Sequence, residues 1–267
     1  MYPYNRPQKS TMNNPMQFAR KHLRFLRPFY AILRNWRIRL LKWRPTYDSF
    51  GLITDHLCEF TEDERFKRSY DVAIKGRHAE GLHTPSFWTN HVTCWAAEQG
   101  TLLEGDFVEC GVLRGFTSRM VMEYVGFEKL NKKFYLIDTY KGLDDRYLLS
   151  SERGREFGYS DIYSYVKEAF SKLKNAVVVR GVVPEILSSL THIEKVAYLA
   201  LDMNSAIPEI AAAEFFWPKM SHGSVMVLDD YGHQGFDEQR LAFDKFAKEK
   251  KVPILCLPTG QALIIKS

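Results

Sequence analysis

From Gly105 to the end of the chain, short apolar runs alternate with segments whose apolar residues recur at helical spacing. The apolar runs are "FVECGV", "KFYLID", "NAVVVR", "VAYLALD", "SVMVLDD", "VPILCL" and "ALIIK", and helical spacing marks "SDIYSYVKEAFSKL", "PEIAAAEFFWPKM" and "DEQRLAFDKFAKEK". Such alternation predicts an α/β fold with a doubly wound, mostly parallel seven-stranded sheet that helices cover on both faces. Only "PTGQ" precedes "ALIIK", and four residues are too few for a crossover, so the last strand is expected to be antiparallel.

Residues 48–104 have the periodicity of helices, which predicts a helical N-terminal cap ahead of the sheet. Thr61 and Glu64 have the spacing of a capping box, which places a helix start between them. Thr84 followed by Pro85 is expected to open a second helix, because proline is well suited to a first helical position.

A basic arm, residues 1–47, precedes the cap. Its first 16 residues lack periodicity, whereas residues 20–44 place aromatic and aliphatic side chains on one helical face and arginines on another. This pattern is typical of a helix on an anionic membrane surface, and equally of one that packs on the body or on a second subunit of a homo-oligomer. An arginine-rich, acid-free segment also suits a transit peptide. Nucleic-acid binding is not expected, because the body lacks a matching basic patch.

Composition adds a location and a charge asymmetry. The chain has 267 residues and a net charge of +5, but residues 1–47 hold 11 Lys or Arg and no acid, which leaves 26 basic and 32 acidic residues beyond them. Four widely spaced cysteines without a C-x-x-C pattern favour a reducing compartment over a disulfide framework or a zinc site. No apolar run approaches the roughly 20 residues that span a bilayer. We therefore expect a cytoplasmic protein, peripheral at the inner face of the membrane if the arm binds lipid.

The expected domains are the arm (1–47), the helical cap (48–104) and the sheet domain (105–267).

The first strand of the predicted sheet runs into a glycine-containing loop, in which Glu109, Gly111 and Gly115 have the spacing E-x-G-x-x-x-G. Glycines permit a tight turn and a close backbone approach, and the helix that follows offers free N–H groups at its start. Asp138 ends the second strand 23 residues after Gly115, about where an acid binds the hydroxyls of a ribose. Leu113 breaks the strict G-x-G-x-x-G pattern of dinucleotide sites. A ligand with ribose but no phosphate, such as S-adenosylmethionine, therefore fits better.

Three acids end the fourth and fifth predicted strands. Asp202 ends "VAYLALD", and Asp229 and Asp230 end "SVMVLDD". The carboxyl ends of neighbouring parallel strands share one edge of the sheet, so these side chains are expected to meet beside the glycine loop. Clustered carboxylates suit Mg²⁺, and Asn204 offers a further oxygen. Each acid taken singly is better explained as a cap of a helix or turn, whereas the three together favour a metal site.

An alternative function is suggested by Tyr163 and Lys167, which have the Y-x-x-x-K spacing of short-chain dehydrogenases. The pair precedes the third strand, too early in the fold to reach a cofactor, and "YSYVKEAF" is well explained as an ordinary helix. A nucleotide-binding oxidoreductase is thus an alternative that Leu113 also disfavours.

Five pieces of the chain, in order, carry a resemblance to a known family: "GDFVECGVLRG", "FYLIDTYKGL", "VVRGVVPEIL", "YLALDMNS" and "VMVLDDYGHQGFDEQRLAFDKF". They resemble the class I S-adenosylmethionine-dependent methyltransferases, specifically the macrocin O-methyltransferase family, over roughly residues 84–267. The resemblance implies a Rossmann-like methyltransferase fold. It also implies Mg²⁺-assisted methyl transfer from S-adenosylmethionine to a hydroxyl of a sugar, a glycosylated natural product or a polysaccharide precursor.

The resemblance further implies a set of site residues. The expected donor contacts are Glu109, Gly111, Gly115, Ser118, Asp138 and Gly181, the last beside the adenine. The expected magnesium ligands are Asp202, Asp229 and Asp230, of which Asp202 is also expected to take part in catalysis.

One departure from the family pattern concerns the proton acceptor. Many relatives carry a second acid two positions after the first metal ligand and a tyrosine two further on, where this chain has Asn204 and Ala206. His233 follows the acid pair and is the candidate general base, because histidine titrates near neutral pH. Its alternatives are a solvated loop histidine, and a reaction in which the cation acidifies the hydroxyl without a dedicated base. Asn204 also leaves open a noncatalytic, membrane-associated interaction protein that retains the fold.

Overall fold

The protein is represented by a computed structural model, which describes residues 45–75, 86–154 and 160–267. The chain divides into two compact units. The smaller consists of residues 1–46 with Thr54–His56, and in its described part the Thr46 N–H donates to the Thr54 carbonyl oxygen at 2.9 Å. The larger consists of residues 47–53 and 57–267. The predicted helix at residues 20–44 and the predicted helix start at Thr84 and Pro85 lie outside the described residues.

The larger unit is built on a seven-stranded sheet, with helices between most of its strands. Where the structure describes the chain, its strands are β1 (Tyr47–Ser49), β2 (Leu52–Thr54), β3 (Asp106–Cys110), β4 (Phe134–Asp138), β5 (Ala176–Arg180), β6 (Val196–Leu201), β7 (Met220–Leu228), β8 (Leu255–Cys256) and β9 (Ala262–Ile265). The α-helices of the described residues are α1 (Glu64–Lys75), α2 (Phe87–Thr101), α3 (Phe116–Tyr124), α4 (Tyr163–Phe170), α5 (Ala206–Phe216) and α6 (Asp237–Lys250).

The strand order across the sheet is β5-β4-β3-β6-β7-β9-β8. Strands β3 to β7 pair in parallel, whereas β9 pairs antiparallel with both β7 and β8. The predicted fold is confirmed, including the antiparallel last strand. The order reverses direction between β3 and β6, so a crevice is expected beyond the carboxyl ends of these two strands.

Alternate residues of each strand face two different cores. Phe107, Leu136 and Tyr198 pack with Ala97 of α2 and Val166 of α4. On the opposite face, the residues that share a core are Val108, Leu199, Met226, Phe216 of α5 and Phe243 of α6. Because side chains alternate with a period of two, Glu109 points to the same face as Phe107, the face that α2 covers.

Residues 47–54 correct the predicted all-helical cap, because they form the two-stranded sheet of β1 and β2. The two residues between the strands, Phe50 and Gly51, have φ of +50° and +82°. Such a turn matches the twist of a hairpin.

The start of α1 corrects the predicted capping box. Thr61 lies in a short 3-10 helix (Glu59–Glu62), where its hydroxyl donates to the Cys58 carbonyl oxygen at 2.7 Å. The cap is instead Asp63, whose Oδ1 accepts the Phe66 N–H at 2.7 Å. Asp63 directly precedes the first helical residue, so it is better placed to satisfy a free N–H of the first turn than Thr61, two residues before it.

In the described parts of the chain, none of the helices combines the length and the apolar character that crossing a membrane requires.

Candidate active site

The loop after β3 approaches β6 so closely that only glycine fits at its start. Gly111 has φ of +90°, and a Cβ atom there would lie 1.8 Å from the Asp202 carbonyl oxygen. Gly115, at φ of +79°, immediately precedes α3, and a Cβ atom there would lie 2.4 Å from the Phe170 ring. Both glycines are therefore required by contacts within the protein, and Gly111 also lines the cavity described below.

Asp138, at the end of β4, shapes this loop. Its Oδ2 accepts the N–H groups of Val112 and Leu113 at 2.7 and 2.8 Å, and its Oδ1 accepts the Tyr140 N–H at 2.6 Å. Ionised carboxylates offer about four acceptor positions, so most of those of Asp138 are occupied by the backbone. Asp138 lines the cavity, and its contact with a ribose stays a prediction.

Glu109, near the end of β3, places a buried carboxyl beside the same loop. The Ser118 hydroxyl donates to its Oε2 at 2.6 Å, and burial raises the pKa of Glu109 to about 8 from a usual value of 4.5. Ser118 is fully buried and is not among the described residues that line the cavity. Its hydroxyl therefore orients the Glu109 carboxyl and is not itself a lining group. Because this pKa lies above neutral, the Glu109 carboxyl is mostly protonated at pH 7 in the ligand-free protein, and a nearby cation would favour its charged form.

Asp202, Asp229 and Asp230 converge beyond the tips of β6 and β7. One carboxylate oxygen from each lies within 4.8 Å of the others. Burial, together with the charges of Asp229 and Asp230, raises the pKa of Asp202 well above its ordinary value, and burial also raises the pKa of Asp229. Crowded carboxylates that lose hydration are stabilised by a shared cation, and hard oxygen donors in this number suit Mg²⁺. The residues present therefore fit a divalent cation.

Two amides hold members of this acid cluster in place. Gln261, which is fully buried, donates from Nε2 to Asp229 Oδ1 at 3.0 Å and to Thr93 Oγ1 of α2 at 3.2 Å. Asn204, at φ of +55°, donates from Nδ2 to Asp202 Oδ1 at 3.2 Å. Its amide nitrogen thus faces Asp202, and the contribution of its oxygen to a metal site stays a prediction.

His233 lies next to the acid cluster but outside the described lining of the cavity. Its ring packs edge-on against Phe50, with centroids 5.9 Å apart, and against the backbone of Gly260. A positive charge on His233 lowers the pKa of Asp229, although burial has the larger and opposite effect. Its role as a general base stays a prediction.

These elements surround one cavity of about 400 Å³. Its lining includes Phe50, Asn90, Glu109, Gly111, Leu113, Arg114, Asp138, Asp144, Gly181, Asp202, Asn204, Asp229 and Asp230. A cavity of this size suits a small molecule or a cofactor. Tyr163 and Lys167 are not among its described lining residues; the Lys167 ammonium lies 5.8 Å from the centre of the Tyr163 ring.

The sequence of residues 91–255 matches the family described as Macrocin-O-methyltransferase (TylF). The chain belongs to the macrocin-O-methyltransferase family. The family predicted from the sequence motifs is thus confirmed, as is the enzyme class, an S-adenosylmethionine-dependent O-methyltransferase.

Solved structures of low sequence identity share the fold of this methyltransferase. The O-methyltransferase NovP has a TM-score of 0.55 at 16% identity, over 67% of this chain and 79% of NovP. CalS11, a calicheamicin methyltransferase, has a TM-score of 0.54 at 17% identity, over 79% of this chain and 93% of CalS11. The O-methyltransferase from Bacillus cereus in complex with SAH has a TM-score of 0.50 at 12% identity, over 76% and 91%. Among curated proteins, none matches this chain in sequence.

Two further buried acids of the methyltransferase were missed by the sequence analysis. Glu152 accepts hydrogen bonds from the Ser205 hydroxyl at 2.9 Å and the Ala206 N–H at 2.8 Å. Glu209 accepts the Met203 N–H at 3.0 Å, and burial raises its pKa to about 8. Together they fix the turn that follows Asp202. Glu152 acts on a backbone group 54 residues away, which only folding brings near, whereas Glu209 acts on an N–H six residues before it.

Proposed function

We propose that this methyltransferase acts with a divalent cation, Mg²⁺, held by Asp202, Asp229 and Asp230, on a hydroxyl of a sugar or of a glycosylated natural product. The observation that carries the proposal is that the three carboxylates and the glycine loop line the same cavity. A methyl donor at the loop and an acceptor at the acids would then lie within reach of each other.

The acid cluster supports the metal part of the proposal through its chemistry. When bound, a divalent cation would orient an acceptor hydroxyl and lower the pKa of that hydroxyl. Gln261 holds one oxygen of Asp229, so the other is left to turn toward the cavity. The Asn204 amide fixes Asp202 in the same way.

The donor part of the proposal assigns a role to residues in and around the glycine loop. Glu109 offers a buried carboxyl that suits an ammonium group, and Asp138 keeps the loop open while it lines the cavity. Gly111 and Gly181 present backbone without a side chain, so the adenosine part has room to approach. The acceptor oxygen then displaces the sulfur in line from the methyl carbon, a reaction that depends mainly on positioning.

His233 is proposed as the proton acceptor, and its backbone N–H, which donates to the Asp230 carbonyl oxygen at 3.0 Å, keeps it next to the acid cluster. The alternative is that the hydroxyl loses its proton to solvent once it is acidified. The acceptor class rests on the description of the family, and CalS11, described as a calicheamicin methyltransferase, shares its fold.

The proposal is tested by titration calorimetry of the full chain with S-adenosylhomocysteine, NAD and Mn²⁺. We expect binding of S-adenosylhomocysteine and of Mn²⁺, and none of NAD. Asp229→Asn should weaken Mn²⁺ binding at least about tenfold and abolish methyl transfer to a panel of glycosides, while the affinity for S-adenosylhomocysteine changes little.

The outcomes separate the alternatives. Binding of NAD in place of S-adenosylhomocysteine would favour the oxidoreductase, and binding of the donor without transfer to any glycoside would favour a noncatalytic protein or another acceptor. Equal Mn²⁺ affinity in Asp229→Asn would refute the metal site. His233→Ala should lower kcat and shift the pH profile; an unchanged profile leaves deprotonation to solvent.

A further inference from the structure

The first turn of α2 contributes a polar wall to the cavity. Ser86, Thr89 and Asn90 line it together, at the start of a 15-residue helix. The N–H groups of a first helical turn have no partners within the helix and carry partial positive charge. This wall is therefore electrostatically different from the strand tips across the cavity.

Asn90 is the residue of this wall whose side-chain amide has an unsatisfied hydrogen-bond donor. The residue is only 6% exposed, and no described residue accepts a hydrogen bond from its Nδ2. The backbone N–H of Asn90 is used within the helix, because it donates to the Ser86 carbonyl oxygen at 2.9 Å. A buried amide donor without an acceptor is unfavourable, and one in a cavity wall is explained if a ligand supplies the acceptor.

The charges of the other lining residues restrict which ligand group can supply an acceptor to Asn90. Six carboxylates line the cavity in its described part, and Arg114 is the one cationic side chain among the same lining residues. The strand tips and the loop therefore offer acidic partners to a cationic group but few positive partners to an anionic one. The amino-acid end of S-adenosylmethionine carries one ammonium and one carboxylate. These two groups have opposite charge, so we expect residues on different sides of the cavity to bind them.

We propose that Asn90 donates its amide hydrogens to the carboxylate of the methyl donor's amino-acid end, while Glu109 faces the ammonium. This inference rests on the proposed donor site, and it adds α2 to the elements that bind the donor. Thr93, one turn further along α2, is tied through Gln261 to Asp229. The same helix therefore touches the donor end of the cavity and the network of the acid cluster.

The test compares two ligands that differ in the group under question. S-adenosylhomocysteine has the amino-acid end, and 5′-methylthioadenosine lacks it. In calorimetry, Asn90→Ala and Asn90→Leu should weaken S-adenosylhomocysteine about tenfold and leave 5′-methylthioadenosine within about twofold. Asn90→Asp, of equal size, should weaken S-adenosylhomocysteine further, because it places a second carboxylate against the ligand's own.

A matched control is Asn131→Ala, which removes an exposed amide outside the cavity lining and should change neither affinity. Equal weakening of both ligands by the Asn90 variants, or no weakening of either, would overturn the inference. So would a fall in kcat with unchanged affinity for S-adenosylhomocysteine, since Asn90 would then face the acceptor. If the wild-type chain binds neither ligand, the proposed donor site itself fails, which is a distinct result.

Discussion

A single buried carboxyl, that of Glu109, links the stability of the ligand-free protein to pH. Burial raises its pKa to about 8 from a usual 4.5, while the Ser118 hydroxyl opposes this shift by its hydrogen bond. Between these two values the folded chain keeps a proton that the unfolded chain releases. The free energy of unfolding should therefore fall as the pH rises, by at most about 1.4 kcal/mol per pH unit from this group.

Glu109→Gln removes this dependence, because an amide does not titrate. The variant should gain stability relative to the wild type progressively from pH 5 to pH 8, as measured by urea unfolding of the ligand-free chain. Glu128→Gln, at an exposed position, is the control variant. A Glu109→Gln difference that is flat across this range would contradict the burial of an acid at this position.

Gly111 is the residue whose replacement should be least tolerated. A Cβ atom there would lie 1.8 Å from the Asp202 carbonyl oxygen, and the backbone has φ of +90°. Gly111→Ala must push β3 and β6 apart at the cavity, so we expect a loss of more than about 3 kcal/mol in the free energy of unfolding.

Gly126 provides the matched control for this prediction. It also has a positive φ, +63°, but a Cβ atom there meets nothing within 4 Å. Gly126→Ala should therefore cost only the backbone term, about 1–2 kcal/mol. Chemical denaturation of both variants measures the difference, and equal costs would argue against the close approach at Gly111.

At the scale of elements, Gln261 connects the helical region to the acid cluster. It lies in the turn before β9, and its amide bridges Thr93 of α2 and Asp229 after β7. The bridge fixes the orientation of the Asp229 carboxylate. Groups that orient a metal ligand commonly change metal affinity 10–100-fold when they are removed.

Gln261→Leu should lower the affinity for Mn²⁺ about tenfold, as measured by electron paramagnetic resonance of free Mn²⁺. Affinity for S-adenosylhomocysteine should change much less, because Gln261 is not among the described residues that line the cavity. Gln99→Leu, on α2 and away from this bridge, serves as the control. Unchanged Mn²⁺ affinity in a folded Gln261→Leu variant would rule out the orienting role.

At the scale of the whole molecule, charge is unevenly distributed along the chain. Residues 1–47 carry 11 Lys or Arg and no acid, and a basic residue near an anionic bilayer contributes about 1 kcal/mol. We propose that this arm binds the surface of anionic membranes.

A chain without residues 1–44 should bind S-adenosylhomocysteine as the full chain does, but should no longer sediment with anionic vesicles. Binding of the full chain should weaken with added salt, because surface charge is screened. Neutral vesicles are the control. Equal sedimentation of both chains would assign the arm to another task, such as contact with a second subunit.

The family and the fold were predictable because their signals are local. The period of two in the strands, the helical spacing between them and the glycine-and-acid motifs can each be recognised in short stretches, and the fold and the family were confirmed. Local signals failed near the N-terminal side, where residues 47–54 form a hairpin and Asp63 takes the place of Thr61 as a cap. The short stretch at residues 47–54 supports helix and strand about equally, and Asp63 and Thr61 are both residue types that cap helices.

The sequence by itself determined the alternation of strands and helices, the glycine loop and the acids at the strand tips, because each of these depends on neighbours in the chain. Only the tertiary structure decided that Asn90 lines the cavity, that Gln261 reaches Asp229 and that His233 lies outside the described lining. It also decided that β9 inserts between β7 and β8. These outcomes depend on which surfaces are brought together by packing. Gln261 contacts Asp229 and Thr93, which are 32 and 168 residues away in the chain, and contacts at such separations leave no periodic pattern in a sequence.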